Sequence, residues 1–191
     1  MLGCVVMAAG RGVRFGGEKL LAELRGKPLL YYTLAALPPH WNTVAVASSP
    51  AVLAYLARAG VRSVRNPAPE KGVGGTIRLG TEALQHCEAI LYLVADQPLL
   101  RRETLLALER SWRAEPDAIW ACAQHGVRGN PCLFPKEFFG QLCALEGDQG
   151  GSRVIAQNPS ALRLLEVPAA ELWDIDTRAS LQALGEEKLW T

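Results

Sequence analysis

The 191-residue chain is poor in the residues that build metal–sulfur, disulfide or polyanion-binding proteins. Histidine occurs three times, at His40, His86 and His125, too far apart in sequence to suggest a histidine metal site. The five cysteines, Cys4, Cys87, Cys122, Cys132 and Cys143, are odd in number and include no Cys-x-x-Cys pair. Zinc ribbons and disulfide frameworks need close or paired spacing, so buried, reduced thiols are expected. An excess of one charge is also missing, with 20 Lys and Arg against 19 Asp and Glu. That balance removes the broad electropositive footprint of a nucleic-acid-binding protein. No stretch approaches the ~20 apolar residues that span a bilayer. The apolar start MLGCVVMAAG lacks a positive n-region and runs directly into a basic glycine loop, unlike a secretory leader. The expectation is a cytoplasmic protein with neither nucleic acid nor membrane as partner. Repeats, low-complexity tracts and linkers are absent as well, and the length suits one domain over residues 1–191.

What remains is an alternation of apolar runs and helical patterns. Strands are expected at Gly3–Ala8, Thr43–Ser48, Arg62–Arg65, Ala89–Ala95, Ala118–Ala123, Pro131–Phe134, Arg163–Val167 and Leu172–Ile175. Helices are expected at Pro28–Ala36, Pro50–Ala59, Thr76–His86, Arg102–Ala114, Lys136–Leu145, Ser152–Gln157 and Arg178–Leu184. The first and fourth strands are continuous apolar runs, as central strands covered on both faces require. The pattern is α/β with a mostly parallel sheet, whose ligands bind beyond the carboxyl ends of the strands. The Pro- and Gly-rich piece Asn66–Gly75 is too short for a linker and is expected to line a site.

The densest signal is Met7-Ala8-Ala9-Gly10-Arg11-Gly12-Val13-Arg14-Phe15-Gly16-Gly17-Glu18-Lys19, immediately after the first apolar run. Glycines let backbone N–H groups approach an anion, and the two arginines and lysine neutralise it. Two familiar phosphate loops fail here at residues with defined jobs. Gly12 and Gly17 have P-loop spacing, but Glu18 stands where the lysine belongs and Leu20 follows Lys19 where a hydroxyl is needed. The dinucleotide pattern breaks at Phe15, and Ser48-Ser49 replaces the ribose-binding acid after the second strand. Downstream, Asp96 in Ala95-Asp96-Gln97-Pro98 falls at the carboxyl end of the fourth strand, where a hard carboxylate ligand suits Mg²⁺. Asp174 and Asp176 in Trp173-Asp174-Ile175-Asp176-Thr177 are two apart and would share one side of a strand. Two adjacent carboxylates repel unless a cation lies between them. Capping of the following helix by Asp176 explains the pair in part. A basic phosphate loop with strand-end aspartates suggests metal-assisted phosphoryl or nucleotidyl transfer.

These motifs, in this order, together with Gly26-Lys27-Pro28-Leu29-Leu30, Gly129-Asn130-Pro131 and the Asp174-Ile175-Asp176-Thr177 element, resemble the MobA-like nucleotidyltransferases over nearly the whole chain. The likeness is greatest to their molybdenum cofactor cytidylyltransferase branch. The resemblance implies a Rossmann-like, three-layer nucleotide-diphospho-sugar transferase fold. It implies Mg²⁺-dependent transfer of CMP from CTP to the terminal phosphate of molybdopterin, with release of pyrophosphate and, as a further partner, a recipient molybdoenzyme. By position, Ala8, Ala9 and Gly10 would line base and ribose, with Gly12 in the phosphate loop. Arg14 and Lys19 would hold the triphosphate. Asp96 would be the main metal ligand, and Asp174 or Asp176 the second. Gly74, Gly75 and Thr76 would contact the base, and Asn130 would face the pterin side. Alanine at position 9, where the guanylyl branch usually has glycine, favours the smaller base.

Several positions depart from the family pattern. Serine is common where Gly12 stands, methionine where Phe15 stands, and histidine where Asn130 stands. Gly147–Arg153 resembles a family segment that is one residue shorter. It would either close over the second substrate, with Arg153 near a phosphate, or form a glycine-rich turn before a helix. Two further functions stay open on sequence grounds. One is a GTP-dependent or sugar- or polyol-phosphate nucleotidyltransferase; the other is a non-catalytic carrier of the cofactor.

Overall fold

Buried strands without polar interruptions set the architecture. In the computed structural model, which describes residues 1–10 and 12–186, the runs Leu2–Ala8 (β1) and Ala89–Val94 (β6) lie side by side in parallel at the middle of a seven-stranded sheet. A short hairpin of Glu23–Leu24 (β2) and Lys27–Pro28 (β3) follows the glycine loop. The other sheet strands are Asn42–Ala47 (β4), Ser63–Arg65 (β5), Ile119–Gln124 (β7), Val127–Pro135 (β8) and Leu162–Glu166 (β9), in spatial order β5-β4-β1-β6-β8-β7-β9. The pairings of β1 with β4 and β6, of β4 with β5 and of β7 with β9 are parallel. Only β8 runs antiparallel to its neighbours β6 and β7. The sheet is therefore mostly parallel, as expected.

The helices are Leu29–Ala36 (α1), Pro50–Arg58 (α2), Val73–Ala83 (α3), Arg102–Ala114 (α4), Phe139–Cys143 (α5), Gly151–Gln157 (α6) and Arg178–Glu186 (α7). Strand alternation divides them between two faces. Cys4, Val6, Ala8, Leu91 and Leu93 pack with Leu30, Leu56, Leu105 and Leu108 from α1, α2 and α4. Val5, Val44, Ile90, Tyr92 and Phe134 pack on the opposite face with Ile77, Leu142 and Val154 from α3, α5 and α6. This is the helix–sheet–helix layering of the nucleotide-sugar transferase fold. The thiols of Cys4, Cys87, Cys122 and Cys132 are buried, and desolvation holds each above its ordinary pKa.

Local chemistry explains the element ends. Ser49 caps α2 through its side-chain oxygen, with Pro50 at the first helical position. Gly60, at φ +71°, closes the same helix. Thr177 caps α7 by accepting the Ser180 amide at 3.1 Å.

The helix expected at Thr76–His86 lies three residues earlier, at Val73–Ala83, the one expected at Lys136–Leu145 is a 3₁₀ turn followed by α5, and two strand expectations change. The strand expected at Leu172–Ile175 does not form. Ala169–Leu172 is a 3₁₀ turn, and the following residues reach the sheet through the Ile175 amide, which donates to the Asp96 carbonyl at 3.0 Å, just past the end of β6. The expected strand Pro131–Phe134 is longer, because His125-Gly126, both at positive φ, turn β7 into β8 as a hairpin. None of the described helices is long and apolar enough to cross a membrane.

Candidate active site

β1 leads on one side to β4 and pairs on the other with β6, so the chain reverses its direction of winding between β1 and β6. A crevice opens beyond the carboxyl ends of strands at such a point. The loop after β1 is held by its own backbone. The Gly12 carbonyl accepts the amides of Phe15 and Gly16 at 3.0 and 3.1 Å, and the Lys19 amide donates to Gly17 at 2.8 Å. Gly12 lies at φ +57°, and a Cβ there would stand 2.8 Å from the Gly17 carbonyl oxygen. Serine at this position would be strained in this loop. Arg11, part of the basic loop in sequence, lies outside the described residues.

A small separate core fixes the loop to the end of the chain. Phe15 is buried with Leu24, Leu29, Ile175, Leu181 and Leu184. The Arg178 guanidinium lies 5.0 Å above the Phe15 ring. With the Ile175 side chain drawn into this core, its neighbours Asp174 and Asp176 are left on the loop side.

The charged groups converge there. Lys19 Nζ lies 2.5 Å from Asp96 Oδ2 and 3.6 Å from Asp176 Oδ1, and Arg14 Nη1 lies 3.0 Å from Asp176 Oδ2. Lys19 and Asp96 are largely shielded, whereas the Arg14 side chain is 77% exposed. Asp174 completes the negative group. Desolvation first, then the nearby charges of Asp96 and Asp176, hold its carboxyl above the ordinary value, against a hydrogen bond from Gln97 and the charge of Lys19. One ammonium between two carboxylates is a cation-binding geometry made of hard oxygen donors. Among the described residues, no three His, Cys, Asp or Glu side chains group closely enough to hold a metal by themselves. That donor set fits Mg²⁺, which takes one or two carboxylates and completes its shell with water and substrate phosphates.

Cavities flank the loop. One, of about 370 Å³, is lined by Ala9, Gly10, Pro69, Gly72, Thr76, Asp96 and Asp148, with Met7, Val73 and Val94 beside them. A second, of about 350 Å³, lies on the other side of Gly10 between Ala8, Gly17, Glu18, Lys19, Ser48 and Ser49. A third, of about 370 Å³, shares Met7, Val73 and Val94 with the first and extends past Arg128, Gly129 and Asn130 to Gly150, Gly151 and Ser152. Ala8, Ala9, Gly10, Lys19, Thr76, Asp96 and Asn130 therefore line one run of adjoining cavities, with Arg14 and Asp176 joined to it through ion pairs.

Gly74 and Gly75 are not brought to these walls. The Gly74 amide donates to Gly147 at 2.9 Å, and a Cβ on Gly74 would meet the Leu145 carbonyl at 2.8 Å. Gly75 faces the Asn66 amide instead. Thr76 is buried and accepts from Asn66 Nδ2 at 3.0 Å. The segment Asn66–Gly75 does line the site, through Pro69, Gly72 and Val73.

Sequence reasoning missed Ser48, Ser49 and Glu18 as lining residues, whereas Asp148 belongs to the Gly147–Arg153 segment expected near the second substrate. Ser49 Oγ donates to Glu18 Oε1 at 2.7 Å, and Ser48 Oγ donates to the Ala9 carbonyl at 3.3 Å. The strand-end rule that found Asp96 applies equally to Ser48-Ser49 after β4.

Residues 4–162 match the family model of the MobA-like NTP transferase domain. A molybdenum cofactor guanylyltransferase of Cupriavidus metallidurans is 29% identical over 196 residues, covering 96% of this chain and 94% of its own length. The crystal structure of Rv0371c from Mycobacterium tuberculosis H37Rv superposes with a TM-score of 0.82 at 25% identity, covering 97% of each chain. A structure of Rv0371c in complex with manganese shares the fold at a TM-score of 0.78 and 23% identity, covering 97% of this chain and 98% of that one. The family model spans the central strands, the glycine loop and Asp96, and the chain belongs to the MobA-like NTP transferase family.

Proposed function

We propose that residues 1–191 act as one nucleotidyltransferase domain that transfers CMP from CTP to the phosphate of molybdopterin, releasing pyrophosphate. The observation that carries this reading is the convergence of Lys19, Asp96 and Asp176 on one cation position at the ends of β1 and β6. Phosphoryl and nucleotidyl transfer need positioning and charge stabilisation more than covalent help from the protein. An acceptor phosphate oxygen forms the new bond to the α-phosphorus of the triphosphate, and the bond from that phosphorus to the bridging oxygen of the leaving pyrophosphate breaks. Lys19 and Arg14 hold the β- and γ-phosphates and stabilise charge on the leaving group. Asp96 and Asp176 would hold Mg²⁺, with Asp174 beside them. When bound, the ion would supply Lewis-acid polarisation of the phosphoryl oxygens. Base and ribose would lie against Ala8, Ala9, Gly10 and Thr76, with Gly74 and Gly75 supporting Thr76 from behind. The acceptor would enter along the cavity of Asn130 and Gly150–Ser152. A recipient molybdoenzyme would take the product.

The choice of CTP rests on Ala9, a buried residue that lines the cavity beside Gly10 and Thr76. A methyl there takes room that a purine needs. The second reading is GTP, favoured by the C. metallidurans relative, a guanylyltransferase. Purified protein given each triphosphate, Mg²⁺ and molybdopterin separates the two by product mass. CTP is expected to be preferred, with Ala9→Gly shifting the preference toward GTP. A clear GTP preference in the unmodified protein would refute the role given to Ala9. Binding of cofactor with no turnover on any triphosphate would favour a carrier over an enzyme.

A further inference from the structure

The cations and carboxylates of the site are bonded to one another. Lys19 bridges Asp96 and Asp176, and Arg14 holds the second oxygen of Asp176. The Lys19 and Asp96 side chains are only 14% and 20% exposed, so their attraction is screened less than that of a surface pair. Lys19 is also anchored at its backbone, where its N–H donates a hydrogen bond to the Gly17 carbonyl at the start of a 3₁₀ turn. A divalent cation arriving alone must therefore displace a tethered ammonium from the same two carboxylates. A triphosphate changes the balance, because its oxygens attract Lys19 and Arg14 by charge-assisted hydrogen bonds.

We propose that Lys19 is a tethered stand-in for the metal, so that a divalent cation and the nucleotide bind with strong positive coupling and the cation binds weakly by itself. The proposal rests on the reading of this site as one for metal and triphosphate. Drawing Lys19 and Arg14 onto the phosphates frees Asp96 and Asp176 for the cation. By linkage the cation must raise nucleotide affinity by the same factor. The arrangement keeps free divalent ions from occupying the carboxylates ahead of substrate.

The test is Mn²⁺ binding to the full chain followed by electron paramagnetic resonance, with and without the α,β-methylene analogues of CTP and GTP. Binding of Mn²⁺ to the analogue alone is subtracted. The unmodified protein is expected to bind Mn²⁺ about tenfold or more tightly once an analogue is present, within the usual range of coupling between sites. Lys19→Met should bind Mn²⁺ about tenfold more tightly than the unmodified protein when no analogue is present, and should lose most of the coupling. Arg14→Gln, at an exposed position, should move both quantities in the same direction by less. Folded Lys19→Met and Arg14→Gln proteins that bind Mn²⁺ no better than the unmodified one would overturn the proposal. Equal Mn²⁺ affinity of the unmodified protein with and without analogue would overturn it too. A separate control addresses the underlying reading: Asp96→Asn should lose Mn²⁺ binding in the presence of analogue. If it binds as tightly as the unmodified protein, the metal site itself is wrongly assigned, and the proposal goes with it.

Discussion

Gly10 and Gly12 stand two residues apart and answer to different constraints. A Cβ on Gly10 meets nothing within 4 Å, whereas one on Gly12 meets the Gly17 carbonyl and also forces a side chain into positive φ. Gly12→Ala should therefore destabilise the protein by about 1–3 kcal/mol, while Gly10→Ala leaves the midpoint of a urea titration nearly unchanged. Equal midpoints for the two variants would contradict the loop geometry. Asp96 carries a sharper prediction. Asp96→Asn keeps the size and removes the charge, and should lower pyrophosphate release at least about 10²-fold, as for loss of a group that stabilises transition-state charge. A far-ultraviolet circular dichroism spectrum matching the unmodified protein would confirm that the loss is chemical. Asp96 was readable from the sequence because it falls just past an apolar run, and Lys19 because it closes a glycine-rich basic loop. The contact between Lys19 and Asp96 was not, because the two are 77 positions apart and meet only once the parallel pairing of β1 with β6 sets the loop after β1 beside the end of β6.

Among the elements, the segment from Trp173 to Thr177 shows how side-chain alternation survives without a strand. Its expected ladder is replaced by one hydrogen bond from the Ile175 N–H to the Asp96 carbonyl, and the burial of Ile175 separates the two aspartates from the core side. Sequence alternation therefore gave the correct sidedness for an incorrect element. Ile175→Ala removes a fully buried side chain from the small core beneath the loop. It should cost about 2–5 kcal/mol and raise KM for the nucleotide, because Phe15 and α7 share that core. An unchanged KM would mean that the loop is positioned independently of the chain end. On the opposite face, α3 presses against β1 at Gly80, where a Cβ would stand 2.6 Å from Val5 Cγ1. Gly80→Ala should destabilise by about 1–3 kcal/mol through overpacking, measurable as a lower unfolding midpoint. Helical periodicity placed α3 in the sequence, but its close approach at a single glycine depends on the strand beneath it.

Across the whole molecule, one polar cluster far from the site sets a dependence of stability on pH. Burial would raise the carboxyl of Glu109, but hydrogen bonds from Trp41, Arg113 and His40, with the charge of Arg113, hold it below its ordinary 4.5. A lowered folded-state pKa stabilises the protein fully above the unfolded value, and that stabilisation is lost as pH falls through the folded value. Stability should therefore drop on acidification below about 4.5, and Glu109→Gln should flatten that part of the profile. Thermal unfolding midpoints between neutral and acid pH would show it. The α/β class and the parallel centre of the sheet were legible in the strand–helix alternation, whereas the antiparallel β8 came from a His125-Gly126 turn that periodicity alone does not reveal. The central claim is that the end of β1 and the end of β6 together form a metal-assisted nucleotidyl-transfer site. Its most direct test is the mass of the product formed from CTP or GTP, Mg²⁺ and molybdopterin by the unmodified protein and by Asp96→Asn. A molybdopterin dinucleotide and pyrophosphate are expected in equal amounts from the first and at least about 10²-fold less of both from the second; undiminished product from Asp96→Asn would contradict the site assignment.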